Sequence, residues 1–198
     1  KEAIDIKSKI IGADHYETCI SIAGLGNVYN SKGQYDKALE CHNKYYESFK
    51  LIHGCQEPYI ADILSGIGTD YSNMEDYENA LAKHLEAIAV LESCNKAILS
   101  PYYNAVGNDL YCMDRYTEAI DIYTKALAAP DIISNPFGKS ILCNCIARCH
   151  ACLKDYVKAK LFFEEALEIR MTMFDTNDSH VEQCRNNVKK VNEILSQI

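Results

Sequence analysis

The chain has 198 residues, 48% of them apolar, which is enough to bury a continuous core without help from a cofactor or a second chain. Its 28 acidic and 20 basic side chains leave a formal charge of −8, which argues against a broad phosphate-binding surface and so against a nucleic-acid partner. Ten cysteines fall mostly inside helix-like stretches rather than in a short, loop-rich disulfide scaffold, so they read as reduced thiols. No apolar run is long enough to span a bilayer and no charged-then-apolar leader opens the sequence, so the expected location is cytoplasmic, with no membrane insertion.

In chain order, the residues from Lys1 to Ile11 read as the back half of a helix, and the chain starts in mid-repeat as if cut from a longer protein with flanking domains. Helices are then predicted over 15–31, 34–53, 57–73, 76–93, 97–112, 115–128, 138–153, 155–174 and 178–196. They form pairs because one pattern recurs: Tyr35-x-x-Ala38, Tyr77-x-x-Ala80, Tyr116-x-x-Ala119 and Tyr156-x-x-Ala159. Gly26, Gly68, Gly107 and Ala147 stand twelve residues before those alanines, and Tyr45, Ala87, Ala126 and Ala166 stand seven after them. Polar turns at 31–34, 73–76, 113–115 and 154–155 separate the two helices of each unit. Between 129 and 138, two prolines and Asn135 forbid a continuous helix and predict a connection that bulges from one edge.

Five glycines, at 24, 26, 66, 68 and 107, lie inside predicted helices, where each costs about 1 kcal/mol relative to alanine. Close approach of the paired helices is the expected compensation.

Gly26-x-x-Tyr29, Tyr35 and Ala38, with Gly68-x-x-Tyr71, Tyr77 and Ala80, resemble the tetratricopeptide signature. A spacing of about 40–42 residues, the string Glu164-Glu165-Ala166-Leu167-Glu168-Ile169-Arg170 and the later Asp178-Ser179-His180-Val181 and Asn186-Asn187-Val188 are similar to the longer repeats of kinesin light chains and nephrocystin-3-like proteins. The loop's His-Pro pair appears only in pieces, as Asp14-His15-Tyr16 and Glu57-Pro58. The resemblance implies an all-α, right-handed superhelical solenoid of stacked antiparallel helix pairs forming one domain over 1–198. Its expected parts are the end of a repeat (1–14), four repeats (15–56, 57–96, 97–137, 138–177) and a terminal capping helix (178–198).

In such a solenoid the first helix of each unit lines a concave groove that accepts a peptide or partner segment. Three residues before the small Gly or Ala stand Ala23, Ser65, Asn104 and Asn144, continued by Asn186; one residue after it stand Asn27, Thr69, Asn108 and Arg148. Asparagine offers both a donor and an acceptor, so the row Asn104, Asn144, Asn186 is suited to bonding a peptide backbone, as the resembled family does. Arg148 adds a charged hydrogen bond for an acidic ligand group. The peptide-binding candidates are thus Asn27, Ser65, Thr69, Asn104, Asn108, Asn144, Arg148 and Asn186; the bland reading of the same residues is a solvated polar face. The expected role is a protein-interaction scaffold, with a spacer or self-association arm, or a thiol- or zinc-responsive module, as alternatives.

Catalysis is not expected, and neither is a cofactor or metal. Cys143, Cys145, Cys149, His150 and Cys152 supply ligands on paper, but one straight helix cannot surround a tetrahedral ion. Phe137-Gly138-Lys139-Ser140 lacks the first glycine of a phosphate-binding loop, Ile133 standing in its place, so Lys139 and Ser140 are assigned to the start of a helix. Around the six histidines no serine, cysteine or carboxylate recurs in a nucleophile-base pattern.

Overall fold

A computed structural model describes residues 2–12, 15–54 and 58–197. Asp14 and Glu57 of the loop pattern lie outside them. The helices are α1 (Glu2–Ile11), α2 (Tyr16–Ser31), α3 (Tyr35–His53), α4 (Pro58–Asn73), α5 (Tyr77–Ser93), α6 (Ser100–Cys112), α7 (Tyr116–Ala128), α8 (Pro136–Cys152), α9 (Tyr156–Met173) and α10 (Ser179–Leu195), with a 3-10 turn at Pro130–Ile132. No strand occurs among the described residues. The chain divides into two compact units, Lys1–Lys96 and Ala97–Ile198. In the first, α2 pairs with α3 and α4 with α5, with α3 against α4; in the second, α6 pairs with α7, α8 with α9, and α10 packs on α9.

Each hairpin turn is closed in the same way. Gly33, Glu75, Asp114 and Lys154 hold φ of 70°, 62°, 58° and 62°, one left-handed residue per turn. The next residue's N–H returns to a carbonyl five positions back: Gln34 to Tyr29, Asp76 to Tyr71, Arg115 to Leu110 and Asp155 to His150. This closure satisfies carbonyls at the end of the first helix, and three of the four units adopt it without glycine. The side chains of Asp76 and Asp155 then cap the second helix, accepting from Asn79 N–H at 3.3 Å and Lys158 N–H at 3.2 Å.

The seam inside each hairpin follows from the small residues. Ala38, Ala80, Ala119 and Ala159 are fully buried. Against them the side chain four positions further along the second helix, His42, His84, Tyr123 or Phe163, meets the small residue of the first helix. A Cβ on Gly68 would stand 2.6 Å from His84 Nε2, and one on Gly107 would stand 2.4 Å from the Tyr123 ring. In the fourth hairpin Ala147 and Phe163 share a core cluster with Ala159 and Val191. The glycine cost is therefore offset by ring packing at Gly26, Gly68 and Gly107. The expectation fails at Gly24 and Gly66, where an added Cβ would meet nothing within 4 Å.

Two helix starts differ from the sequence reading by more than one residue. α6 begins at Ser100 rather than 97, because Asn95 turns the chain at φ 52° and Pro101 sits in the first turn. α8 begins at Pro136 rather than 138: Asn135 caps it, accepting from Gly138 N–H at 2.8 Å, and Pro136 occupies a first-turn position where no N–H is needed. The connection before α8 is anchored at one residue while the next, Ile133, is 85% exposed. Ile132 is buried, and the Asp131 carboxylate caps α6 by accepting from the N–H groups of Leu99 and Ser100, both at 3.2 Å, and from the Ser100 hydroxyl.

Candidate functional site

In the second unit the first helices α6, α8 and α10 are linked side by side through their own residues. The Arg148 guanidinium of α8 lies 4.4 Å from the centroid of the Tyr111 ring of α6, a cation–π contact. Cys152 Sγ lies 3.6 Å from Tyr111 Oη. Between α8 and α10, Asn187 Nδ2 donates to Asn144 Oδ1 at 2.9 Å, and Cys143, Ala166 and Cys184 share a buried cluster.

This arrangement places Asn104, Asn108, Asn144 and Arg148 along neighbouring helices, but with different bonding. Asn108 is exposed, yet its carboxamide oxygen accepts from the Tyr123 hydroxyl at 2.7 Å, so it also braces its own hairpin. Asn144 is partly buried and its oxygen is taken by Asn187. The α10 residue that meets the row is thus Asn187, one position beyond the exposed Asn186 that the register selects. Asn104 differs from all of these. Its Oδ1 is buried and, among the described residues, lacks any hydrogen-bond partner.

Asn104 lines a cavity of about 180 Å³ between α6 and α8, with Pro101, Ile132, Gly138, Ile141 and Leu142 among the other walls. The cavity is mostly apolar, with one unmet acceptor in its lining. A buried carbonyl left unpaired costs about 1–3 kcal/mol, which a donor entering from outside would recover.

In the first unit the candidates are Asn27 on α2 and Ser65 and Thr69 on α4. Asn27 Oδ1 lies 3.1 Å from His42 Nε2, the same bracing that Asn108 gives to Tyr123 one register position along each hairpin. The Thr69 hydroxyl donates to the Ser65 carbonyl at 2.9 Å, and His84 Nε2 lies 3.2 Å from the same carbonyl. Sequence reasoning missed the group that joins α2, α3 and α4. Asp70, fully buried, accepts from His42 Nδ1 at 2.5 Å and from Asn30 Nδ2 at 2.6 Å, and Asn30 Oδ1 in turn accepts from Asn73 Nδ2 at 3.2 Å. The signal present in the sequence was a carboxylate, Asp70, two positions after Gly68 on a face otherwise apolar.

Most cysteines of α8 are packed inside. Cys143 and Cys149 are fully buried and Cys145 nearly so, while Cys152 is exposed. Among the described residues no group of three or more His, Cys, Asp or Glu is placed to hold a metal ion. Burial pushes the Cys143 thiol up to about 12, helped by the Glu165 carboxylate, and the Cys149 thiol also to about 12, helped by neighbouring Cys145 and Cys152. Both thiols stay protonated near neutrality and are poor nucleophiles. Alkylation of the native chain at pH 8 is expected to modify Cys112 and Cys152 roughly a hundredfold faster than Cys143 and Cys149, read by peptide mass spectrometry. Because the folded values lie above the ordinary thiol value of 9.0, the stability these two groups contribute is complete below about pH 9 and is lost as the pH climbs toward 12.

The paired helices, with the first helices of the second unit set side by side, define a helical-repeat fold. The tetratricopeptide repeat family model matches residues 59–131, and the helix pairing on either side continues the same pattern. No curated protein matches the chain by sequence. Among solved structures the chain is similar to BtubC (BKLC) from P. vanneervenii, at 19% identity and a TM-score of 0.72 over 81% of this chain and 67% of that one. It is similar to a Podosopora anserina putative kinesin light chain with nearly identical TPR-like repeats, at 11% identity and a TM-score of 0.78 over 89% and 86%. It is also similar to the apo form of RapI, at 15% identity and a TM-score of 0.79, covering 90% of this chain and 64% of RapI. The chain thus has the all-helical fold of tetratricopeptide-repeat solenoids, with kinesin-light-chain-like structures among those it is similar to. No helix of the described residues is long and apolar enough to cross a membrane.

Proposed function

We propose that the chain is a protein-binding scaffold, and that the face formed by α6 and α8 grips an extended segment of a partner. The observation that carries this reading is the buried, unpaired Asn104 Oδ1 in the lining of an apolar cavity. An incoming apolar side chain fills the cavity while a backbone N–H of the same segment donates to Asn104; Asn108, Asn144 and Arg148 extend the contact along the face. The unmet acceptor destabilises the empty chain and is satisfied only on binding, a common pattern at binding sites.

The reading makes a paired prediction for Asn104→Leu. Removing the orphaned acceptor is expected to raise unfolding stability by about 1 kcal/mol, measured in urea. The same change is expected to weaken, by roughly tenfold or more, every peptide selected on the wild-type chain from a random display library. Asn144→Leu is expected to weaken the same peptides while also lowering stability, since it strands the Asn187 amide. Peptides that bind both variants as tightly as wild type contradict the proposal.

A further inference from the structure

The first unit holds a cavity of about 200 Å³ between α2 and α4, lined by Asn27, Tyr45, Tyr59, Asp62 and Gly66 among others. It occupies the same place in the repeat as the cavity of the second unit. Ala23, Tyr59, Asp62 and Ile63 stand where that unit has Asn104, Gly138, Ile141 and Leu142. The cleft is therefore built twice with opposite chemistry: apolar where Ile141 lines it, acidic and aromatic where Asp62 and Tyr59 line it.

Three observations point to what the acidic version takes. Tyr59 is 68% exposed, an unusual setting for a large ring, and it is backed by the buried Phe49, whose centroid lies 6.4 Å away; Phe49 in turn meets Tyr45 at 6.0 Å. The aromatic wall is thus held in place while one face stays open. Gly66 lies in the interior of α4, where glycine costs about 1 kcal/mol, yet among the described residues nothing comes within 4 Å of where its Cβ would stand. Finally, the first unit carries fifteen acidic against nine basic residues, so its surface attracts cations.

We propose that this cavity is a subsite for a basic side chain, lysine or arginine, of a partner protein segment. The aliphatic stem lies over Gly66, the cationic head meets the Asp62 carboxylate, and the Tyr59 and Tyr45 rings flank it through cation–π contact. The proposal rests on the scaffold reading above and specifies what a partner presents to the first unit.

The test uses tripeptide probes on the whole isotope-labelled chain, followed by amide NMR. Acetyl-Ala-Lys-Ala-amide is expected to shift the Tyr59, Asp62 and Gly66 amides in a saturable, salt-sensitive way, and the isosteric norleucine tripeptide is expected to leave them in place. Asp62→Asn, a change at an exposed position, is expected to weaken the lysine probe roughly fivefold or more, and Gly66→Leu to abolish the shifts by filling the cavity. Far-UV circular dichroism checks that both variants keep their helices. Unmoved amides with the lysine probe, equal shifts with norleucine, or an unchanged response in Asp62→Asn overturn the subsite. Those outcomes leave the Asn104 assay untouched, whereas failure of that assay removes the scaffold reading while the tripeptide titration still reports on this cavity.

Discussion

Asp70→Ala will destabilise the first unit by about 3–5 kcal/mol, the cost of breaking a buried ionisable pair from one side. Asp70 is fully buried and accepts from His42 of α3 and Asn30 of α2 while itself belonging to α4. Its loss strands two donors from two helices at once, the His42 ring in a buried setting and the Asn30 amide in a partly buried one. Asp70→Asn keeps an acceptor for one of them and is expected to cost less, about 1–2 kcal/mol. Urea unfolding followed by far-UV circular dichroism measures both, and a change below 1 kcal/mol for the alanine variant would show that the pairing contributes little beyond what water supplies.

The second large effect is expected at Arg170, which is only 5% exposed. Its Nε donates to Ser140 Oγ at 3.1 Å, its Nη1 donates to the His180 carbonyl at 3.0 Å, and its guanidinium lies 5.5 Å from the centroid of the Phe137 ring. Around it Phe174 stacks on His180 with centroids 5.1 Å apart, and Phe137 meets both rings edge-on. One side chain on α9 therefore fastens the starts of α8 and α10. Arg170→Ala removes two hydrogen bonds and the ring contact and leaves a void, for a loss of about 2–4 kcal/mol. Arg170→Lys keeps the charge but cannot fork between Ser140 and His180, and recovers less than half of that. Hydrogen exchange is the more specific readout: the amides of α10 are expected to exchange faster in Arg170→Ala while those of α6 and α7 stay near wild type.

Much of this was legible in the sequence because the helix pairs are encoded locally. The tyrosine that opens each second helix and the alanine three residues later set the register, and the turn between helices needs only one left-handed residue, which Glu75, Asp114 and Lys154 supply as well as Gly33 does. The ring that meets each small residue was harder to see. His42, His84, Tyr123 and Phe163 share one position but span three residue types, so a search by residue identity passes over them. The Asp70 group was hidden for a different reason: its partners are 28 and 40 residues away and in another hairpin. Among the groove candidates, register set Asn104, Asn108 and Asn144 on the neighbouring helices α6 and α8 but not their individual bonding. Asn27 and Asn108 brace their own hairpins and Asn144 bonds Asn187, whereas only the packing reveals that Asn104 has a buried oxygen with no donor among the described residues.

Helix starts failed where backbone chemistry overrode periodicity. Apolar spacing carried α6 back to 97, but the turn at Asn95 and the first-turn Pro101 place its start at Ser100. Proline acted at 136 not as a breaker but as a first-turn residue, with Asn135 as the cap.

The account depends most on the face between α6 and α8 being where a partner segment lies. Its most direct test is to attach a nitroxide to a display-selected peptide and read paramagnetic broadening of the chain's amide signals. Broadening centred on Asn104, Gly138, Ile141 and Asn144 is the expected result; broadening centred on the second helices α7 and α9, with those four signals intact, would contradict it.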